Sequence, residues 1–254
     1  MGRQKRTMRL TAAHVALLPA RLECPGPAPD NDGQGPDSYY EETIAALINA
    51  VPAGEDMWLF ACGSLIWNKR FTHVEERAGT ARGWHRDFCL GPDTRFRGNP
   101  EAPGYMLSLD RGGQCKGMVY RLPRDGLAAN LDGLLRKEPP FPPRWVTVAT
   151  PQGSVRAIAF THPGRDRVYS GSLSEEVIAD ALSRAVGMVG SMAQYVYLTT
   201  MHLEELGLCD DRLWRMQEMV AERIERSFPG SFPRRADAAS PEIRRAWPGR
   251  RGGG

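Results

Sequence analysis

Hydrophobic patterning changes character once along this chain, near residue 172. Before that point most apolar runs are short, bounded by Gly and Pro, and suited to strands. After it, apolar residues recur at helical spacing. Met57 to Ala61 predicts a buried strand and Glu75 to Leu90 a long one. Tyr105 to Leu109 and Gln114 to Leu122 flank Gly112-Gly113, a hairpin signal, and Arg144 to Thr150 and Ser154 to Thr161 bracket a second around Pro151-Gln152-Gly153. Ser172-x-x-Glu175 then caps a helix running to Gly187, and two more follow near Gly190 to Leu206 and Arg212 to Ser227. Two helices interrupt the strand-like part: Thr43 to Val51, behind a Ser38-x-x-Glu41 capping box, and Asp125 to about Glu138, where Leu127, Leu131, Leu134 and Leu135 form one stripe. Strands first and helices later predict an α+β fold with a mixed or mostly antiparallel sheet, open or closed into a small β-barrel-like sheet, and helices around it.

Residues 1–37 read as a flexible extension and linker, because Pro25, Pro27, Pro29 and Pro36 alternate with Gly26, Gly33 and Gly35. Residues 38–228 form the expected single domain, and the Pro-, Arg- and Gly-rich stretch 229–254 an expected flexible tail. No apolar run approaches the length that spans a bilayer, so no membrane partner is expected. The net charge of +3 is too small for a polyanion-binding surface. No basic stripe with interleaved aromatics appears, which argues against nucleic acid. The five cysteines (Cys24, Cys62, Cys89, Cys115 and Cys209) are odd in number, widely spaced and without a Cys-x-x-Cys pair, so a reducing cytoplasm is expected. The five histidines are equally scattered, and no metal is indicated. Oligomeric state is left open.

Two places carry chemistry. In Ala61-Cys62-Gly63-Ser64-Leu65-Ile66 a strand runs into Gly63-Ser64, where successive free N–H groups are able to hold a carboxylate or oxyanion. The same pattern also describes an ordinary tight strand exit, which spacing alone favours. The second place is Glu138, four residues after Leu134 and three after Leu135, on the leucine face of its helix. Pro139 disfavours helical geometry at Glu138 and so places it at the helix end, where the dipole offers a carboxylate no support. Two readings stay open: a desolvated carboxylate of raised pKa, as a general base near neutral pH requires, or a frayed terminus facing water beside Arg136 and Lys137. Cys62 lacks an identifiable partner base, with His73 and His85 mere guesses, and reads as a small buried apolar residue rather than a nucleophile. Ser64 lacks the Gly-x-Ser-x-Gly elbow of serine hydrolases.

Taken in order, these segments resemble the ChaC family of glutathione-specific gamma-glutamylcyclotransferases. The resemblance runs from Trp58-Leu59-Phe60 and Gly63-Ser64-Leu65-Ile66-Trp67 through Gly83-Trp84, Arg86-x-Phe88 and Arg97-Gly98-x-Pro100-x-x-Pro103-Gly104. It continues through Gly117-x-x-Tyr120-Arg121, Leu134 to Glu138, Tyr169-Ser170-Gly171, Gly187-x-x-Gly190-Ser191, Tyr195 and Leu203-x-x-Leu206-Gly207. It implies a barrel-like fold without cofactor, a substrate loop at Ala61 to Leu65 and a catalytic glutamate at Glu138. The implied reaction converts glutathione, or a related gamma-glutamyl compound, to 5-oxoproline and a free amine. A silent gamma-glutamyl-binding module is the alternative from another class. Two departures stand out: Ala61-Cys62 where the family carries Gly-Tyr, and Pro139-Pro140 directly after Glu138.

Overall fold

The computed structural model describes residues 6–24, 26, 35–162, 169–171 and 173–232. Five strands, β1 (Trp58–Ala61), β2 (Glu75–Asp93), β3 (Gly104–Arg121), β4 (Arg144–Thr150) and β5 (Gly153–Ala159), close a barrel in the order β1-β3-β2-β4-β5. Neighbours are antiparallel except β1 and β5, whose parallel pairing closes the ring. Helices α1 (Ala12–Val15), α2 (Asp37–Asn49), α3 (Leu127–Leu135), α4 (Glu175–Arg184), α5 (Met192–Glu205) and α6 (Asp211–Ser227) surround it, and β6 (Val186–Gly187) pairs with β7 (Gly190–Ser191) ahead of α5. This is the α+β barrel that the patterning predicts.

Strand alternation sorts the apolar residues into two cores. One, built from the strands and their immediate ends, fills the barrel: Trp58, Phe60, Cys62, Cys115, Val119, Val146 and Val148. The other joins the outer face, including Leu59, Ala61 and Tyr120, to the helices. The split matters for function, because consecutive residues at the end of β1 point into different compartments.

β2 and β3 outrun the barrel. β2 touches β4 only around Thr80 and Ala81, and beyond Gly83 the two long strands continue as a ribbon to the loop 94–103. The expected hairpin at Gly112-Gly113 is therefore replaced by one continuous strand with a bulge. Trp84 faces Arg111 and Arg82 faces Gln114, so one residue on β2 opposes two on β3, and Gly83, Gly112 and Gly113 all take positive φ. The glycine pair supplies left-handed backbone to a bulge, because β2 is long enough to pair along all of β3.

Two capping expectations also change. α2 begins at Asp37 behind Pro36, with no side-chain cap, and Ser38 lies inside its first turn. Burial of Tyr40, whose hydroxyl accepts from Gly35 N–H at 3.0 Å, draws the helix start ahead of the capping box. Ser172 lies outside the described residues; α4 is capped instead by Ser174, which accepts from Val177 N–H, with Glu175 in the first helical position.

The expected flexible extension differs too. Residues 6–24 are seated on α5 and α6: Arg6 pairs with Glu204 and Asp211 over the Trp214 ring, and Arg9 with Glu222 and Glu225. Leu10 is fully buried, its N–H donating to Gln217 Oε1 at 2.8 Å. An apolar side chain flanked by arginines matches the apolar seam and acidic rim of α6, which periodicity around Leu10 alone does not reveal. Further on, Leu22 N–H bonds to Gly187 O, and Gly26 O accepts from Arg95. Of the expected tail, residues 233–254 lie outside the described residues, while Phe232 stacks on His14.

Burial of one Leu is worth about 1.5–3 kcal/mol, and the ion pairs add to it. Deleting residues 1–24 is expected to lower the melting temperature by roughly 5–10 °C, measured by circular dichroism; an unchanged melt means the arm contributes nothing.

Candidate active site

β1 delivers its last residues to a tight turn. Gly63 adopts φ −133°, ψ −131° and leads into a 3-10 turn, Ser64–Ile66. Ile66 and Trp67 N–H close that turn on Gly63 and Ser64 carbonyls, while Asn68 N–H also reaches Ser64 O. Gly63 N–H meets no acceptor among the described residues, and the N–H groups opening a helical turn have no partner within it. A cluster of amides is left to bind an anion. Space at Gly63 is tight: a Cβ there would lie 3.1 Å from the Tyr195 hydroxyl, which would have to give by a few tenths of an ångström.

Arg86 sets the position of the turn. This buried guanidinium donates from Nε to Cys62 O, from Nη2 to Lys116 O at 2.6 Å, and from Nη1 to Asp210 at 2.5 Å. Asp210 in turn caps α6 by accepting from Leu213 N–H. One side chain thus links the end of β1, the neighbouring β3 and a helix start.

The predicted loop residues separate by compartment. Ala61, Leu65 and Ile66 belong to the helix-facing core, and Cys62 belongs to the barrel interior. The Cys62 thiol is held up by its hydrogen bond with Cys115 and by burial. It is therefore a poor nucleophile, packed in the barrel interior.

Glu138 comes from the opposite side. After α3, Lys137 and Glu138 N–H bond to Leu134 and Leu135 carbonyls, an i→i−3 tightening that Pro139 ends. Leu134 and Leu135 are buried, which turns Glu138 inward. It keeps intermediate exposure, so water reaches it, yet burial pushes its carboxyl up to about 7 against the opposing pull of Arg70. Glu138 is thus half-buried, between the two readings, and the raised carboxyl favours the desolvated one. This carboxylate lines neither of two cavities among the described residues. One of about 60 Å³ lies by Asp210 and Leu107, and a cleft of about 620 Å³ begins at Arg70 beside α3.

Three residues given no site role from the sequence complete the site, although Arg97 and Tyr195 lie in the motifs that carry the resemblance. Tyr195, on α5, meets Gly63 with its hydroxyl; burial raises its phenol pKa, with Cys62 and Glu138 adding and Arg97 opposing. Arg97, in the loop closing the β2–β3 ribbon, lies 5.5 Å from the Tyr195 ring centroid. Arg70 acts electrostatically on both Glu138 and Arg97. Trp67 Nε1 donates to Thr199 Oγ1 at 3.0 Å and pins the turn to α5. Glu101 is exposed, and its N–H bonds to Asn99 in the same loop. Among the described residues no group of three His, Cys, Asp or Glu is arranged to hold a metal ion.

A barrel flanked by helices thus carries a carboxylate of raised pKa and a turn with free amides, the kinds of group that general-base chemistry and oxyanion binding use. The family described as ChaC-like protein matches residues 57–223. The chain is 35% identical over 191 residues to the glutathione-specific gamma-glutamylcyclotransferase of Escherichia coli K12, covering 74% of this chain and 82% of that protein. Human glutathione-specific gamma-glutamylcyclotransferase 1 is 29% identical over 152 residues, 55% of this chain and 66% of that one. A crystal structure of the yeast gamma-glutamyl cyclotransferase specific to glutathione shares the fold, with a TM-score of 0.59 at 15% identity over 66% of this chain and 97% of that one. The chain belongs to the ChaC-like family.

Breaking a buried charge pair from one side costs about 3–5 kcal/mol. Arg86→Met is expected to lose stability on that scale in urea denaturation and to release the turn. A loss below about 1 kcal/mol, the worth of an exposed pair, rules out the anchor.

Proposed function

We propose that this protein is a gamma-glutamylcyclotransferase that converts glutathione to 5-oxoproline and cysteinylglycine, with Glu138 as its general base. The observation that carries the reading is a glutamate pushed up to about 7 by burial, at a site that includes an amide-lined turn. The relatives named above act on glutathione, which supports the substrate.

The reaction is an internal aminolysis. The α-amine of the gamma-glutamyl group attacks its own γ-carbonyl, closes the five-membered lactam and expels the amine of cysteinylglycine. Because nucleophile and electrophile share one molecule, the site has chiefly to hold the cyclic conformer. The substrate amine arrives protonated. Glu138 takes that proton and later returns one to the departing nitrogen, a role for which a pKa near 7 is matched to neutral pH. The free amides around Gly63 to Leu65 hold the oxyanion that forms on the γ-carbonyl. Cys62 takes no part, because its thiol lies inside the barrel. Wide cysteine spacing and five free thiols support a reducing, cytoplasmic setting.

Glu138→Gln keeps shape and removes the base; turnover of glutathione is expected to fall roughly 10²- to 10⁴-fold, followed as 5-oxoproline release with circular dichroism as a control. In the parent enzyme kcat/KM is expected to rise through pH 7 as the carboxyl ionises. Arg70→Gln is expected to move that limb to higher pH, since Arg70 stabilises the charged form. Near-normal turnover by Glu138→Gln moves the base elsewhere, and an unmoved limb removes Arg70 from it. Cys62→Ala is expected to stay within severalfold of the parent, with no acyl adduct by intact mass.

A further inference from the structure

Arg97 is a buried cation whose carboxylate is missing. It is 9% exposed, yet among the described residues no Asp or Glu side chain stands within ion-pair distance of its guanidinium. Asp93, the nearest acid in sequence, spends its oxygens on the backbone N–H groups of Arg95, Phe96 and Arg97 itself. Nη1 alone is engaged, with Ser191 O at 3.2 Å and Gln194 Oε1 at 3.3 Å, both on the start of α5. The Nε and Nη2 edge, the fork that grips a carboxylate with two parallel bonds, takes no partner among the described residues. Partial burial disfavours the charge of this guanidinium, and a ligand of opposite charge at its open edge offsets that.

The position of this free fork is informative. Tyr195 spans the gap between Arg97, which faces its ring, and the Gly63 turn, which meets its hydroxyl. Glu138 bears on the same tyrosine, and Arg70 on both Arg97 and Glu138. A gamma-glutamyl group carries its α-carboxylate and its attacking amine on one carbon. A carboxylate gripped at Arg97 lies beside Tyr195, the residue whose hydroxyl meets the Gly63 turn and on which Glu138 also bears, so one substrate carbon able to carry both groups fits between them.

Resting on the cyclotransferase reading, we infer that Arg97 is the substrate-binding residue for the α-carboxylate of the gamma-glutamyl group, leaving the Gly63 to Leu65 amides to the oxyanion. Arg97 thereby selects for a free α-carboxylate and against its neutral derivatives.

The test compares glutathione with two neutral analogues, one bearing an α-carboxamide on the glutamyl residue and the other a carboxamide on the glycine. Release of the cysteinylglycine part, or its amide, is followed for the parent, Arg97→Gln and Arg97→Lys, with melting curves for each. The parent is expected to lose roughly 10²-fold in kcat/KM on the α-carboxamide and far less on the glycine carboxamide. Arg97→Gln is expected to lose a similar factor on glutathione and to treat glutathione and its α-carboxamide alike within about threefold. Arg97→Lys, which keeps charge but not the fork, is expected to fall between them. Equal losses by Arg97→Gln on all three substrates make Arg97 a support for its loop and overturn the proposal. Discrimination that vanishes for the glycine carboxamide instead assigns the fork to the other carboxylate and overturns it as well. If the parent releases nothing from glutathione, the cyclotransferase reading fails by itself. Calorimetric binding of glutathione and its α-carboxamide to the parent and Arg97→Gln then decides the subsite: carboxylate-dependent affinity lost in the variant supports it, and equal affinity overturns it.

Discussion

Everything about the site depends on where Cys62 O is held, and Arg86 holds it. Each nitrogen of that guanidinium meets a different element: the end of β1, the edge of β3 and the cap of α6. A neutral side chain supplies one or two such donors; arginine supplies a planar fan of five and stays charged when buried. With Cys62 O fixed, the chain leaves β1 through a glycine, and the amides of the following turn stay free to meet an anion. The barrel thus behaves as a rigid mount for one strand end, and the helices complete the site around it.

The second constraint is the length of β2 and β3. Because they continue past the barrel, the loop 94–103 is carried out to the start of α5, where Gly187 packs against the Arg95–Phe96 backbone with no room for a Cβ. Arg97 reaches Tyr195 through this ribbon, and Tyr195 reaches Gly63 through α5. Three distant stretches of chain, near residues 63, 97 and 195, so converge with a fourth, at 138. The arm of residues 6–24 borders this assembly, where Leu22 meets Gly187 and Cys24 meets Arg95.

Function and stability oppose each other at Glu138. Its folded pKa lies above its unfolded value, so the fold holds the neutral acid more comfortably than the anion. The penalty is absent below the unfolded pKa, near 4.5, and is fully felt once pH rises past about 7, where the base is needed. The cationic Arg70 offsets part of it. The structure accommodates an uncomfortable carboxylate because the buried leucines of α3 outweigh it, and Pro139 stops the helix before Glu138 swings outward.

Much of this was legible in the residues themselves. Alternating short apolar runs followed by helical stripes specify an α+β fold, because each pattern buries a continuous face in only one kind of element. Leu134, Leu135 and Pro139 put Glu138 at a helix end, and Gly63-Ser64 mark a tight strand exit. Periodicity is local, and these are local facts. What it does not carry is convergence. Gly112-Gly113 looks like a turn until β2 proves long enough to pair straight through it. Leu10 looks like part of a loose arm until α6 presents its seam. Whether Glu138 was buried or frayed depended on neighbours 40 to 70 residues away, and only packing shows that Cys62 faces the barrel while Arg97 stands without a carboxylate. Sequence determined which elements form and which groups carry charge; tertiary structure decided which charges lose their water, because desolvation depends on everything that surrounds a group and not on its place in the chain.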